Sequence, residues 1–160
     1  MVDIQFEPIS NSDRRWIRTL ASLHFGSERI VVHGTVFSLE VEDGFIAWLG
    51  QKRVGVVILK TDGEFCEIIL LDALESREDI FRSLLQGAGN WARGQGCKRL
   101  ILTTTNDNTD ALRIYQQNGF FLTGLRVGAV TDSRKLKPEI PKTGCNGITI
   151  QDELELEMVL

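Results

Sequence analysis

The chain has 160 residues, 42% of them hydrophobic and 25% charged, which is typical of one folded domain large enough to bury a core. Its formal net charge of −4 argues against a nucleic-acid-binding protein, which normally carries a basic surface, and allows a cationic substrate. No apolar run approaches the ~20 residues of a membrane helix and no leader pattern follows Met1, so we expect a cytoplasmic protein that binds neither nucleic acid nor membrane.

The first elements follow from hydrophobic spacing. Alternating residues predict a strand that ends at Pro8, and apolar residues at helical spacing predict a helix that ends at Gly26. The segment from Arg29 to Leu39 has strand character that Gly34 interrupts. Three antiparallel strands are then predicted, the third continuously apolar and therefore central; their ranges are 45–49, 54–59 and 65–71.

A helical pattern from Ile80 to Ala92 connects the third of these strands to an apolar strand that begins at Leu100. A strand–helix–strand crossover favours parallel pairing of its two strands. Further strands are predicted at 122–130 and at 153–160, where alternating glutamates are expected to face solvent. The segment between them contains two prolines and is too long for a hairpin turn, so we expect a short helix and a loop there.

The stretch after the Leu100 strand is polar and is followed by a helix predicted from Thr109 to Asn118. Asn108, Ala111 and Tyr115 are spaced i, i+3 and i+7, which brings them to one face over roughly 10 Å. The alternative is that this face is the core stripe of an ordinary amphipathic helix. Tyr115 is the only tyrosine in the chain, which favours a role for its hydroxyl.

Glu67 lies inside the predicted central strand, where a carboxylate is costly unless it is paired or functional. It is therefore a candidate general base. The alternative is that it faces solvent or pairs with a basic neighbour. His24 and His33 are isolated histidines, for which a structural or surface role is the more common one, although His33 could contact a substrate. Cys66, Cys97 and Cys145 are odd in number, widely spaced and without a metal-site pattern, so reduced thiols and no metal site are predicted.

The segment NDNTDALRIYQQNGF resembles the late motif of the GNAT superfamily, the acetyl-CoA-dependent N-acetyltransferases. Asn108, Ala111, Tyr115, Gly119 and Phe120 fall in register with it. The resemblance implies one α/β (α+β) domain over residues 1–160. In that fold a mixed, mostly antiparallel sheet is splayed at a central parallel pair and flanked by helices.

The resemblance also implies a reaction, the transfer of an acetyl group from acetyl-CoA to a primary amine of a small molecule or peptide. Glu67 would be the base, a backbone N–H near Leu71 would polarise the carbonyl, and Tyr115 would protonate the departing thiolate. A homodimer is compatible with it. Acceptor specificity is expected between Gly26 and Asp43 and between Thr131 and Asp152. The implied cofactor-binding residues are Leu70, Leu71, Asp72, Arg77, Arg82, Asn108, Ala111 and Tyr115.

One part of the family pattern is missing. The pyrophosphate loop of the family reads Arg/Gln-x-x-Gly-x-Gly/Ala, and here Ser76, Asp79 and Phe81 occupy its Arg/Gln and two small positions. Small residues let phosphates approach backbone N–H groups, whereas an aspartate repels them. Arg77 and Arg82 could substitute as charge partners. The sequence therefore predicts either looser binding of coenzyme A or a non-catalytic module that binds a metabolite or a protein partner.

Overall fold

Seven of the nine strands form one mixed sheet in the computed structural model, which describes residues 3–160. The other two strands form a separate hairpin. No helix in the described range is both long and apolar enough to cross a membrane. In chain order the strands and helices are β1 (Ile4–Pro8), α1 (Arg14–Phe25), β2 (Arg29–Val32), β3 (Thr35–Ser38), β4 (Asp43–Leu49), β5 (Lys52–Asp62), β6 (Phe65–Ala73), α2 (Glu78–Gly94), β7 (Arg99–Thr105), α3 (Thr109–Gln117), β8 (Phe121–Arg126), α4 (Ala129–Leu136) and β9 (Glu153–Val159).

The strand order of the sheet is β1-β4-β5-β6-β7-β9-β8. Every neighbouring pair is antiparallel except β6 and β7, which are parallel and joined by α2. The predicted mixed sheet with a central parallel pair is therefore confirmed. The predicted central strand, β6, lies fourth of the seven.

The parallel pair separates after a short run of hydrogen bonds. Phe65–Ile68 of β6 are paired with Arg99–Leu102 of β7, and beyond them both strands continue without pairing to each other. On its other side β6 carries a bulge, because Ile58 faces Leu70 while Leu59 faces Ile68, which leaves one extra residue on β6. A bulge bends and twists its strand. The predicted splay is confirmed, and it leaves a gap beyond Ile68.

Both faces of the sheet are covered, which explains why β5 is apolar over six successive residues. Helix α2 packs on one face through Leu84 and Ala88, while α1 and the β2–β3 hairpin cover the other through Ile17 and Phe37. The approach of α2 is close. A Cβ at Gly55 on β5 would lie 2.7 Å from Leu84 Cδ1, so this position needs glycine.

Two predictions at the C-terminal end are wrong in part. The predicted strand 122–130 ends at Arg126 because Gly128 takes a left-handed φ of 74° and α4 begins at Ala129. Hydropathy does not register this turn, since valines continue across it. The expected solvent-facing glutamates include Glu153, which is only 4% exposed. Its carboxylate accepts hydrogen bonds from Arg126 and from the backbone N–H of His33.

All three cysteines are free thiols. Cys66 and Cys97 are buried and Cys145 is exposed. Burial raises the pKa of Cys66 to about 12, and partial burial beside Asp107 raises that of Cys145. In the folded protein we expect only the exposed Cys145 to react with a disulfide reagent, and to react slowly because its pKa is raised. After unfolding in guanidinium all three thiols should react, as measured by absorbance. A buried thiol that reacts as fast as Cys145 would contradict this packing.

Candidate functional site

A cavity of about 590 Å³ opens where the parallel strands separate. Its walls come from the end of β6, the start of α2 and one face of α3. Five of the predicted cofactor-binding residues line it, namely Leu71, Asp72, Arg77, Asn108 and Ala111. The remaining three do not. We call this cavity the donor cleft.

The three that do not line the donor cleft have identifiable positions. Leu70 is buried beneath the α1 side of the sheet. Arg82 lies one turn into α2 and is bonded to Glu78 and to Gln117 on α3. Tyr115 is 8% exposed and belongs to the core beneath α2. The predicted face of α3 is thus partly cleft wall and partly core stripe.

Tyr115 is held between two aromatic rings. Its ring centroid lies 5.6 Å from that of Phe81 and 5.9 Å from that of Phe120. Burial raises the pKa of the phenol above its ordinary value, so the group is protonated at neutral pH. Phe81, at a small-residue position of the family pattern, lies between this phenol and the donor cleft, which it also lines.

The N-terminus of α2 is surrounded by the chain's own ion pairs. Arg77 binds Asp79 through two bonds, from Nε to Oδ1 (3.1 Å) and from Nη2 to Oδ2 (2.6 Å). Glu78 accepts from Arg113 Nη2 at 2.9 Å and from Arg82. Hydrogen bonds from Arg113 and Arg82 lower the pKa of Glu78 to about 2. Hydrogen bonding to Arg77 and to backbone N–H groups of residues 79 and 80 lowers that of Asp79.

These pairs determine how coenzyme A could fit. Leu71, Asn108 and Ala111 line the part of the cleft where a thiol-bearing arm would lie if coenzyme A bound here. At the mouth, Arg77 and Arg113 could pair with a diphosphate, although Glu75, Glu78 and Asp110 line the same cavity. Asp79 and Phe81, however, take the space where phosphates would approach the backbone. The pairs Arg77–Asp79 and Arg113–Glu78 are exposed, and exposed ion pairs contribute little to stability.

On the opposite side of the sheet, the tip of the β2–β3 hairpin holds two carboxylates. His33 Nε2 lies 2.8 Å from Glu67 Oε1, and the backbone N–H of His33 donates to Glu153 at 3.2 Å and 3.3 Å. His33 has φ of 42°, a conformation that side chains rarely adopt. Glu67 is therefore paired rather than solvent-facing. The sequence around His33 contains no signal for this long-range pair, so a structural or surface role was the expectation for His33.

A second carboxylate–histidine pair joins α1 to β6. His24 Nδ1 lies 2.6 Å from Asp72 Oδ2. Burial raises the pKa of Asp72, and the bond to His24 opposes that shift. Asp72 lines the donor cleft, whereas His24 lines another cavity, of about 440 Å³. Phe25 lines both, so the two cavities adjoin.

The 440 Å³ cavity, which we call the α4 cavity, is built by α1, β2, α4 and the loop before β9. Of these, β2, most of α4 and the loop lie within the two ranges in which acceptor specificity was expected, whereas α1 lies outside them. No group of three or more His, Cys, Asp or Glu side chains suited to a metal ion occurs within residues 3–160. The predicted absence of a metal stays a prediction.

The chain is similar to known proteins in both sequence and fold. Residues 37–120 match the model of the acetyltransferase (GNAT) family. A curated relative, the uncharacterized protein YdhI of Bacillus subtilis strain 168, is 36% identical over 138 residues, which are 86% of each chain.

Two solved structures share the fold. An IAA acetyltransferase from Bacillus cereus ATCC 14579 superposes with a TM-score of 0.77 at 22% identity and covers 99% of this chain and 100% of its own. An acetyltransferase from Bacillus subtilis in complex with CoA gives 0.73 at 20% identity, with 99% of both chains covered. At 22% and 20% sequence identity, these similarities show a shared fold only.

Proposed function

Because the chain belongs to the acetyltransferase (GNAT) family, we propose that it transfers an acetyl group from acetyl-CoA to a primary amine of a small molecule or peptide. The observation that carries the proposal is the donor cleft, which lies where β6 and β7 separate. Unpaired backbone beside Leu71 there can receive a thioester carbonyl. The bulge on β6 and the small Ala111 keep this gap open.

In the proposed reaction Glu67 removes a proton from the acceptor ammonium, directly or through a water. The neutral amine attacks the thioester carbon, the C–S bond breaks, and the sulfur takes a proton from the Tyr115 phenol. The attacking nitrogen then loses its extra proton to water, and water returns a proton to the Tyr115 phenolate. His33 holds the Glu67 carboxylate through the 2.8 Å contact. Phe81 lies between Tyr115 and the donor cleft, so in this reaction the Phe81 ring must turn aside for the phenol to meet the sulfur.

A second candidate is a non-catalytic module that keeps the fold and binds a metabolite or a protein. It is favoured by Asp79, which places a carboxylate in the first turn of α2, and by Phe81, whose ring packs against Tyr115. The same observation would weaken coenzyme A binding without abolishing it. The two candidates therefore differ in affinity for acetyl-CoA and in turnover.

The test compares acetyl-CoA with S-acetylpantetheine, which lacks the nucleotide. We expect acetyl-CoA at 100 times its dissociation constant to stabilise the fold by about 2.7 kcal/mol in a thermal shift measurement. Asp79→Ser is expected to strengthen binding of acetyl-CoA, because it removes a carboxylate from the helix N-terminus, and to leave S-acetylpantetheine unchanged. No shift with either compound at millimolar concentration would favour the non-catalytic module. Release of free coenzyme A thiol in the presence of amines measures turnover.

We also propose a cytoplasmic location, supported by three free thiols that suit a reducing compartment. Mixed-disulfide labelling in intact cells would test it. Labelling of Cys145 by an impermeant reagent before lysis would contradict this location.

A further inference from the structure

The α4 cavity contains two buried polar groups that the proposed reaction does not use. Ser133 is 3% exposed and Lys137 5% exposed, and both line this cavity. Lys137 follows the last residue of α4, and its backbone N–H donates to the carbonyl oxygen of Ser133 at 2.9 Å, which keeps the two residues at the same end of the helix. Neither was singled out by sequence analysis.

Both groups are short of partners within residues 3–160. The Ser133 hydroxyl is buried without a hydrogen bond. Lys137 Nζ makes one hydrogen bond, to the carbonyl oxygen of Arg29 (2.9 Å), and no ion pair with a carboxylate. An ammonium group has three donors, and a buried polar group without partners is costly. The two side chains are therefore a ready site for an anionic oxygen ligand.

A carboxylate satisfies both groups at once. It offers two oxygens with several acceptor positions, it neutralises the Lys137 charge, and it accepts from the Ser133 hydroxyl. Burial lowers the pKa of Lys137, and a bound carboxylate would reverse that shift. An inorganic anion would also neutralise the Lys137 ammonium, but it would leave the rest of the cavity unfilled.

The other residues that line the cavity indicate which further groups a ligand should carry. Most of it is apolar, with Ile30, Val130 and Ile150 among its members. Of its two carboxylates, Glu153 is already paired with Arg126, which leaves Glu139 to attract a cation. Its volume of about 440 Å³ falls within the ~300–1,000 Å³ of small-molecule sites. The wall thus suits an ammonium group, an apolar side chain and a carboxylate in one small molecule.

We propose that the α4 cavity binds the acceptor of the acetyl group and that this acceptor is an apolar amino acid, held by its carboxylate at Lys137 and Ser133. The role of this amino acid as the acetyl acceptor rests on the proposed function, whereas its binding in the α4 cavity does not. The shared Phe25 and the His24–Asp72 pair place this cavity next to the donor cleft.

The experiment measures binding by calorimetry, with and without saturating coenzyme A. Its probes are leucine, methionine and phenylalanine, each beside the amine that lacks its carboxylate; for leucine this is 3-methylbutylamine. At least one amino acid is expected to bind 10-fold or more tightly than its matched amine. If none of the three does so in either condition, the proposal is overturned.

Variants on and beside α4 separate a specific site from general charge. Lys137→Met keeps the apolar stem and should weaken amino acid binding 10-fold or more, and Ser133→Ala should weaken it several-fold. Lys135→Met, whose side chain is 75% exposed on α4, should have no effect. Unchanged amino acid binding in both Lys137→Met and Ser133→Ala would overturn the proposal. Failure of acetyl-CoA to bind, with amino acid binding intact, would instead count against the proposed function alone.

Discussion

Replacing Tyr115 with Phe is expected to lower kcat by about 10²-fold or more while leaving stability nearly unchanged. Proton transfer by a positioned side chain typically contributes ~10²–10⁴-fold. Burial raises the pKa of Tyr115, and within residues 3–160 its hydroxyl makes no hydrogen bond, so removing the hydroxyl leaves no described partner unsatisfied. The rings of Phe81 and Phe120 would pack against Phe as they do against Tyr.

Steady-state kinetics with a fixed amine and equilibrium unfolding in urea measure the two quantities. Tyr115→Leu serves as the companion variant, because it removes the ring and should lower stability as well as turnover. Acetyl-CoA binding in Tyr115→Phe should match that of the wild type. Wild-type turnover in this variant would remove Tyr115 from the mechanism and make it a packing residue.

Much of the fold could be predicted because its signals are local. The apolar character of β5 and β6, with a turn glycine between β4 and β5, predicts three antiparallel strands. The helical pattern of α2 between β6 and β7 forces a crossover and hence a parallel pair. The splay itself entered through the family resemblance, since the bulge on β6 has no hydropathy signature.

The errors occurred where backbone geometry overrides hydropathy. Val127 and Val130 extend the pattern of β8, yet Gly128 turns the chain and its N–H donates to Asp152 Oδ1 at 2.8 Å. Glu153 continues the alternation of β9 but is buried by Arg126 and the hairpin tip. In both cases distant groups decide the outcome.

The candidate site divides in the same way. Asn108 and Ala111 were predictable because they lie on one helix face within a recognisable motif. The His33–Glu67 contact joins residues 34 positions apart, and the two residues come together only through the tertiary fold. The exposed pairs at the start of α2 also depend on Arg113, which reaches across from α3. A single sequence does not show which residues of these distant elements will face each other.

The Glu67–His33 pair provides the other large expected effect. Glu67→Gln should lower kcat by about 10²–10⁴-fold, because the amide cannot take a proton from the ammonium. Glutamine keeps the shape and can still accept a hydrogen bond from His33 Nε2, so the fold should remain intact. Raising the pH supplies neutral amine from solution, and we expect the deficit to shrink as pH rises towards the pKa of the acceptor.

His33→Asn tests whether the pair acts as a unit. Asparagine tolerates the positive φ of this position and keeps the backbone N–H that donates to Glu153, but it cannot reach Glu67 as the imidazole does. We expect about a 10-fold loss of kcat, smaller than in Glu67→Gln, because the carboxylate remains but is less well positioned. Glu64→Gln is the matched control, since Glu64 is an exposed glutamate paired with Lys98 and should be neutral. Full activity in Glu67→Gln would show that solvent takes the proton, whereas a loss in His33→Asn equal to that in Glu67→Gln would assign the base role to the pair rather than to the carboxylate alone.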